Sequence, residues 1–217
     1  MQFALVTLEN PIEYKLPIIR QTELKEGGYL SYAQGLKSIL HQDPDIIFIS
    51  EIRDEETAKM AFRAAMTGHQ VFSTLHTNDC FSTLQRLREL GISASLMADN
   101  VSGILAQRLV RKLCNSCKEL KVSQPSKDSS SLCGQPLSLA HPTGCLKCNQ
   151  TGYHGRRPLI EILPIDNTLN SLIASNAPVE KLRTAAKSNT FLSLKQDACQ
   201  KLFSHETSLS EVNKYVL

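Results

Sequence analysis

The chain has no tryptophan, and aromatic residues make up only 6% of its 217 positions. Its formal net charge of +3 is too small to indicate a polyanionic partner. A basic cluster does occur, but no aromatic residues alternate with it: Arg86, Arg88, Arg108, Arg111 and Lys112. Single-stranded nucleic-acid sites usually combine the two residue types, so we expect no nucleic-acid partner. Solvated helix faces explain such a cluster, and a subunit interface is the functional alternative.

Long hydrophobic runs are also missing. No uncharged apolar stretch approaches the ~20 residues that a membrane-spanning helix needs. The first eight residues are apolar, but Glu9 interrupts them and no basic leader precedes them, so they make a poor export signal. We therefore expect a cytoplasmic protein without a transmembrane segment.

Cysteines, in contrast, are frequent and patterned. Four of the seven form two CxxC pairs: Cys114, Cys117, Cys145 and Cys148. Four thiolates that arrive as two such pairs can complete a tetrahedral zinc site. Disulfide bonds are the alternative, and a cytoplasmic chain disfavours them. Cys133, which lies between the pairs, could replace a ligand. We expect one structural zinc ion.

Residues 1–113 alternate between strand-like and helix-like segments. Strands are predicted over 3–8, 46–49 and 70–75, the middle one buried on both faces because it is an unbroken apolar run. Helices are predicted after N-caps at Ser31, Asp54 and Asn78 or Asp79. A further helix is predicted from Met97 through Arg108 to Cys114. Such alternation predicts a mostly parallel α/β sheet.

Charged side chains follow the predicted middle strand directly. Glu51 and Arg53 come just after Ile49, and ligands of open α/β sheets bind beyond the carboxyl ends of the strands. A carboxylate there can polarise water and an arginine can face phosphate. The alternative is that both residues only solubilise a strand end.

The chain divides by composition into three predicted parts. Residues 1–113 form the α/β core, residues 114–158 the cysteine module with a polar, serine-rich loop over 121–136, and residues 159–217 a helical subdomain. The helical prediction for the last part rests on apolar residues at helical spacing from Leu159 onwards.

Four stretches resemble, in the same order, motifs of the hexameric motor ATPases of type II secretion and type IV pilus assembly. Residues 7–14 (TLENPIEY) resemble the acidic box of that family, and residues 43–54 (DPDIIFISEIRD) its Walker B segment. Residues 67–78 (TGHQVFSTLHTN) resemble its histidine box. Residues 105–110 (LAQRLV), followed by the tetracysteine segment, are also similar to it and favour the secretion and pilus-extension branch.

The resemblance implies a RecA-like fold that uses ATP with Mg²⁺. It implies a catalytic group at the strand ends: Glu51, Arg53 and His76. Glu51 would be the general base for the water that attacks the γ-phosphate, Arg53 would face phosphate charge, and His76 would sense the terminal phosphate. A second group would bind magnesium and nucleotide: Glu9, Asn10, Glu13 and His69. Structural hydrogen bonding is the alternative for both histidines, and Glu13 is alternatively a solvated turn residue.

Three features depart from the family pattern. The GxxxxGK[ST] loop, whose amides and lysine hold the β- and γ-phosphates, occurs nowhere in the chain. Asn10 stands where the family usually has aspartate, and Ser50 where it has glycine. Because the loop is expected before Thr7, we expect the C-terminal half of a motor ATPase, inactive alone, whose sheet is incomplete at its N-terminal side.

Two functions of different class follow. In the first, the chain belongs to a homohexamer that hydrolyses ATP and drives an inner-membrane platform protein, to which it would be peripheral. In the second, it is a catalytically silent, zinc-stabilised interaction module that docks on the motor or the platform. ATP turnover distinguishes the two.

Overall fold

The computed structural model describes residues 3–25, 28, 30–123, 137–187 and 191–216. The chain divides into two compact units, which we call unit 1 and unit 2. Unit 1 comprises Met1–Ser102 and Ile165–Ala185, and unit 2 comprises Gly103–Pro164 and Ala186–Leu217. These bounds differ from the three predicted parts because the chain leaves unit 1 before the cysteines and returns to it after them.

Unit 1 is built on a sheet of four parallel strands, which confirms the predicted α/β class. The strands are β1 (Leu5–Glu9), β2 (Arg20–Glu23), β3 (Ile46–Ile49) and β4 (Gln70–Ser73), in the spatial order β2-β1-β3-β4. In the register, Leu8 pairs with Ile49, and Ile49 pairs with Ser73. The carboxyl ends of the three strands β1, β3 and β4 therefore meet at one edge of the sheet.

The helices of unit 1 begin at the predicted capping residues. Helix α1 (Tyr32–Leu40) is capped by Ser31, α2 (Glu55–Met66) by Asp54, and α3 (Cys80–Glu89) by Asp79. Each cap side chain accepts a hydrogen bond from a backbone N–H in the first turn, as N-caps do. The other helices are α4 (Ala94–Asn100), α5 (Asn167–Ala174) and α6 (Val179–Lys187), the last of which extends across the boundary of the unit.

One face of strand β3 is buried, not both as the sequence predicted. Ile47 and Ile49 are fully buried, whereas Ile46 and Phe48 are partly exposed. Helix α1 covers β1 closely, because a Cβ atom at Gly35 would lie only 2.9 Å from the Leu8 side chain. A larger residue at position 35 would push this helix away from the strand that ends at the candidate site.

Unit 2 contains a long antiparallel ribbon, which corrects two helix predictions. Strand β5 (Gly103–Leu113) pairs with β8 (Tyr153–Pro164), so the helix predicted over 97–113 ends at Asn100. The helical pattern predicted from Leu159 begins only at α5 for the same reason. Residues four apart share a face in both helices and strands. Ile104 and Arg108, which contributed to the helix prediction and lie on β5, therefore gave an ambiguous signal.

The rest of unit 2 consists of a short hairpin and two helices. Strands β6 (Glu119–Ser123) and β7 (Leu137–His141) pair antiparallel, and a 3₁₀ turn covers Leu146–Cys148. Helices α7 (Leu194–Phe203) and α8 (Leu209–Val216) confirm the helical prediction for the end of the chain. The predicted loop over 121–136 begins within β6, and its remainder, including Cys133, lies outside the described residues.

No helix within the described ranges combines the length and the hydrophobicity that a bilayer crossing requires.

Candidate active site and cysteine cluster

The carboxylate of Glu51 lies just beyond the end of β3 and contacts two predicted site residues. Its Oε2 accepts a hydrogen bond from Arg53 Nε at 2.7 Å, and its Oε1 lies 2.6 Å from His76 Nε2. The Glu51 side chain is 12% exposed, whereas that of His76 is 87% exposed and that of Arg53 is 59% exposed. A nearly buried carboxylate thus has both oxygens occupied by partners that remain accessible to solvent.

The backbone on either side of Glu51 is held by Thr74, which follows β4. The Thr74 hydroxyl donates to the carbonyl oxygen of Ser50 at 2.6 Å, and the Thr74 carbonyl accepts from the Ile52 N–H at 3.0 Å. Ser50 also donates its N–H to Leu8 O at 2.9 Å. The hydroxyl of Ser50, where the family usually has glycine, lies 2.8 Å from the Tyr32 hydroxyl.

An open depression of about 300 Å³ lies over this carboxylate and is lined by Glu51, Ile52, Arg53, His76 and Arg86. Arg86 was predicted only as part of the basic cluster, and it also contacts Glu89 at 3.3 Å. Three basic side chains around one carboxylate make the depression suited to an anion. The cluster itself is divided, because Arg86 and Arg88 lie on α3 whereas the remaining three residues lie on β5.

The residues predicted to bind magnesium lie at or beyond the end of β1, at the edge of the sheet where Glu51 follows β3. Glu9 ends β1, and its Oε1 accepts hydrogen bonds from Thr7 Oγ1 at 2.6 Å and Gln21 Nε2 at 2.9 Å. Since Leu8 pairs with Ile49, Glu9 and Ser50 are the next residues on neighbouring strands. Asn10 follows directly, and Glu13 is exposed between β1 and β2.

His69 lies at the C-terminal end of α2. Its Nδ1 is 3.0 Å from both Ala64 O and Thr67 Oγ1. These contacts match the structural alternative for this residue, because they satisfy polar groups at a helix end.

The loop after His76 is anchored from α6. Arg183 on α6 pairs with Asp79 at 2.5 Å, and its guanidinium lies 4.4 Å from the centre of the Phe81 ring. Burial raises the pKa of the Asp79 carboxyl, but hydrogen bonds from Ser82 and Arg183 outweigh it and lower the pKa below its ordinary value. Asp79 therefore stays ionised, which strengthens both the helix cap and the contact to α6.

The four patterned cysteines of unit 2 form one cluster: Cys114, Cys117, Cys145 and Cys148. Their sulfur atoms all lie within 4.8 Å of one another, and three of the pairs are 3.8 to 3.9 Å apart. A tetrahedron with Zn–S bonds of ~2.3 Å has sulfurs ~3.8 Å apart. A disulfide needs ~2.05 Å, so these thiols are unbonded and spaced for a metal ion.

Backbone amides also prepare this cluster for a cation. Burial raises the pKa of the Cys148 thiol, but the N–H groups of Cys145 and Gly152, 3.2 and 3.3 Å from its sulfur, outweigh that and lower it to about 6. Burial raises the pKa of Cys145 to about 11. A metal ion binds thiolates and releases their protons, so the donor set fits zinc.

The fold is an open α/β sheet, and the candidate site lies beyond the carboxyl ends of its parallel strands, where such sheets bind ligands. The chain belongs to the type II/IV secretion system protein family, whose sequence model matches residues 2–214. This match confirms the resemblance seen in the motifs.

The relatives of this chain are secretion and pilus ATPases. It is 41% identical over 210 residues to the type II secretion system ATPase E of Vibrio cholerae serotype O1, which covers 96% of this chain and 42% of that protein. It is 40% identical over 219 residues to the type IV pilus assembly ATPase TfpB of Acinetobacter baylyi. This match covers 99% of this chain and 37% of that protein. Its fold is similar to that of the pilus retraction motor PilT with bound ADP, with a TM-score of 0.69 and 24% identity. The superposition covers 98% of this chain and 52% of the PilT chain. The chain thus spans about two fifths of the length of the curated relatives it matches.

Proposed function

We propose that the chain is the part of a secretion or pilus-assembly motor ATPase that activates water for ATP hydrolysis and senses the terminal phosphate. The main support for this proposal is the Glu51 carboxylate, which lies at a strand end with His76 at 2.6 Å and Arg53 at 2.7 Å. The phosphate-binding loop would be supplied by a segment that contains the GxxxxGK[ST] motif, which this chain lacks. The relatives, named as ATPases and more than twice as long, support this division.

Both oxygens of Glu51 are occupied in the structure, so the carboxylate is not ready to accept a proton. The terminal phosphate of ATP would compete for His76 and Arg53, because a phosphate carries more negative charge than a single carboxylate. Their movement towards the phosphate frees Glu51, which then orients the attacking water and accepts its proton. After phosphate release the two side chains return to Glu51, and His76 thereby reports loss of the terminal phosphate.

The remaining residues of this edge would serve the nucleotide. Glu9, Asn10 and Glu13 offer the oxygen ligands that Mg²⁺ prefers, and the bound ion would neutralise phosphate charge. Glu9 is already oriented by Thr7 and Gln21. Arg86 adds a second guanidinium to the depression over Glu51, where developing phosphate charge would be stabilised.

The cysteine cluster would hold one structural zinc ion. Four thiol ligands leave no open position for substrate, so the metal would stabilise unit 2 and take no part in hydrolysis. We place the complete protein in a cytoplasmic homohexamer that acts on an inner-membrane platform protein.

The second candidate is a catalytically silent interaction module stabilised by zinc. The serine at position 50, where the motif resemblance implies glycine, favours it. In this case the strand-end pair between Glu51 and His76 would be only structural.

Turnover of ATP decides between the two candidates. We define the chimera as this chain joined to the part of the Vibrio cholerae relative that lies outside their match. The 217-residue chain alone should show no ATP turnover above background, the chimera should hydrolyse ATP, and Glu51→Gln should lower its kcat by about 100-fold or more. A chimera that binds ATP but does not hydrolyse it would favour the interaction module.

A further inference from the structure

Within the part of the chain that the structure describes, Thr74 holds the main chain on both sides of Glu51. Its hydroxyl donates to the Ser50 carbonyl at 2.6 Å, and its own carbonyl accepts from the Ile52 N–H at 3.0 Å. Glu51 lies between these two peptide groups. The Thr74 contacts therefore restrain the direction in which the Glu51 Cα–Cβ bond points.

The carboxylate itself is held from the same segment. His76, two residues after Thr74, contacts Glu51 Oε1 at 2.6 Å. The segment 74–76 thus contacts the preceding peptide, the following peptide and the side chain of Glu51. Of these contacts, only the one from His76 has to break when phosphate arrives.

We propose that Thr74 is a positioning residue for Glu51, which keeps the carboxylate aimed at the site while His76 moves to the phosphate. This inference rests on the proposed function. Without the Thr74 hydroxyl, release of His76 would leave the peptide group before Glu51 less restrained, and small misplacements of a reacting group are costly. Within the described residues, the Ser50 carbonyl accepts from no backbone N–H, so the Thr74 hydroxyl supplies its hydrogen bond.

Tyr32 offers a matched control, because its hydroxyl also contacts Ser50. Ser50 also receives a hydroxyl contact from Tyr32, at 2.8 Å, but on its side chain and from α1. Tyr32→Phe removes one hydroxyl from Ser50 without changing either peptide group next to Glu51. If any loosening of Ser50 were sufficient, Tyr32→Phe and Thr74→Val would have the same effect.

The test uses two readouts. In the 217-residue chain, we expect amide hydrogen exchange at Ile52 to become about 5- to 10-fold faster in Thr74→Val, as loss of one hydrogen bond predicts. In the chimera, we expect Thr74→Val to lower kcat by about 10- to 100-fold with KM for ATP within about 2-fold. Thr74→Ser, which keeps the hydroxyl, should restore kcat to within about 3-fold, and Tyr32→Phe should stay within about 2-fold.

Two outcomes would overturn the proposal. One is faster exchange in Thr74→Val with unchanged kcat, which would make the contact structural only. The other is an equal loss of kcat in Thr74→Val and Thr74→Ser. A parent chimera without turnover would instead contradict the proposed function, and the exchange rate at Ile52 would still show whether the Thr74 hydroxyl holds this strand end.

Discussion

Each unit holds a nearly buried carboxylate with an arginine nitrogen at 2.7 Å, yet the two sites are built differently. Among the described residues, the Glu51 carboxylate of unit 1 contacts the side chains of Arg53 and His76, and the His76 side chain is 87% exposed. Glu211 in unit 2 is 1% exposed and accepts from the Arg111 guanidinium, the Arg111 backbone N–H at 3.0 Å and Lys214 at 3.1 Å. Exposed side chains can exchange one anion for another, whereas a backbone N–H within a strand cannot move away.

The same contrast extends to the rest of each unit. The depression over Glu51 is open and lined by two arginines and a histidine, and the cysteine cluster of unit 2 is compact, with two of its four members buried. Asp197 in unit 2 is likewise fixed by the Ile160 backbone N–H at 2.8 Å and by Lys201. The strand-end carboxylate of unit 1 thus contacts exposed side chains, whereas Glu211 and Asp197 of unit 2 are held by backbone N–H groups.

Removal of the metal ligands should have the largest effect on unit 2. The wild-type chain should contain one zinc ion, and the double variant Cys114→Ser with Cys145→Ser should contain none and unfold at a much lower temperature. The reason is that metal binding free energies in small zinc sites reach about 10 kcal/mol. Elemental analysis and thermal unfolding measure both effects.

Cys80→Ala provides the control, since Cys80 is a buried cysteine of unit 1 outside the cluster. It should keep one zinc ion. Two zinc ions or none in the wild-type chain would contradict a single four-ligand site.

Glu211→Gln should cost about 2–3 kcal/mol of the free energy of unfolding, because it leaves the Arg111 donors without a charged partner. The hydrogen bond from Arg111 is the main reason that the pKa of Glu211 falls to about 2. Glu206→Gln is the matched control: its contact to Arg157 is also 2.7 Å long, but its side chain is 31% exposed. It should cost about 1 kcal/mol or less, and equal losses in denaturant unfolding would refute the contrast.

Acid should remove the stabilisation that the Glu211 carboxylate contributes. The pKa of Glu211 is lowered from 4.5 to about 2 by folding, so the ionised form is stabilised in the native state. Its contribution is present above pH 4.5 and is lost as the pH falls from 4.5 towards 2. Denaturant unfolding between pH 6 and pH 3 should therefore show a smaller loss of stability in Glu211→Gln than in the wild type. Parallel losses in the two proteins would be inconsistent with this origin.

Glu51→Gln should have the smallest effect on folding. Its partners are exposed side chains, and such ion pairs contribute about 1 kcal/mol or less. The free energy of unfolding of the 217-residue chain should therefore change by no more than about 1 kcal/mol, as measured in denaturant. A loss as large as that of Glu211→Gln would mean that the strand-end carboxylate serves stability.

The sequence predicted unit 1 better than unit 2. Local signals define the caps at Ser31, Asp54 and Asp79, and short apolar runs predicted β1, β3 and β4. Strand β2 was not predicted, because its sequence (Arg20–Glu23) is polar. The ribbon of β5 and β8 escaped prediction because its pairing is non-local, joining Gly103 to Pro164, and its residues four apart also fit a helix. Glu51, His76 and the cysteines were found from motifs. Thr74 was not, because its importance depends on which peptide groups its hydroxyl reaches.

The most direct measurement compares two variants of the chimera in two assays. Glu51→Gln should abolish ATP turnover and leave the unfolding temperature nearly unchanged, whereas Glu211→Gln should lower the unfolding temperature and leave turnover at a permissive temperature within about 2-fold of the parent. Turnover that survives Glu51→Gln, or is lost equally in Glu211→Gln while the protein is folded, would contradict a catalytic role for the carboxylate at the end of β3.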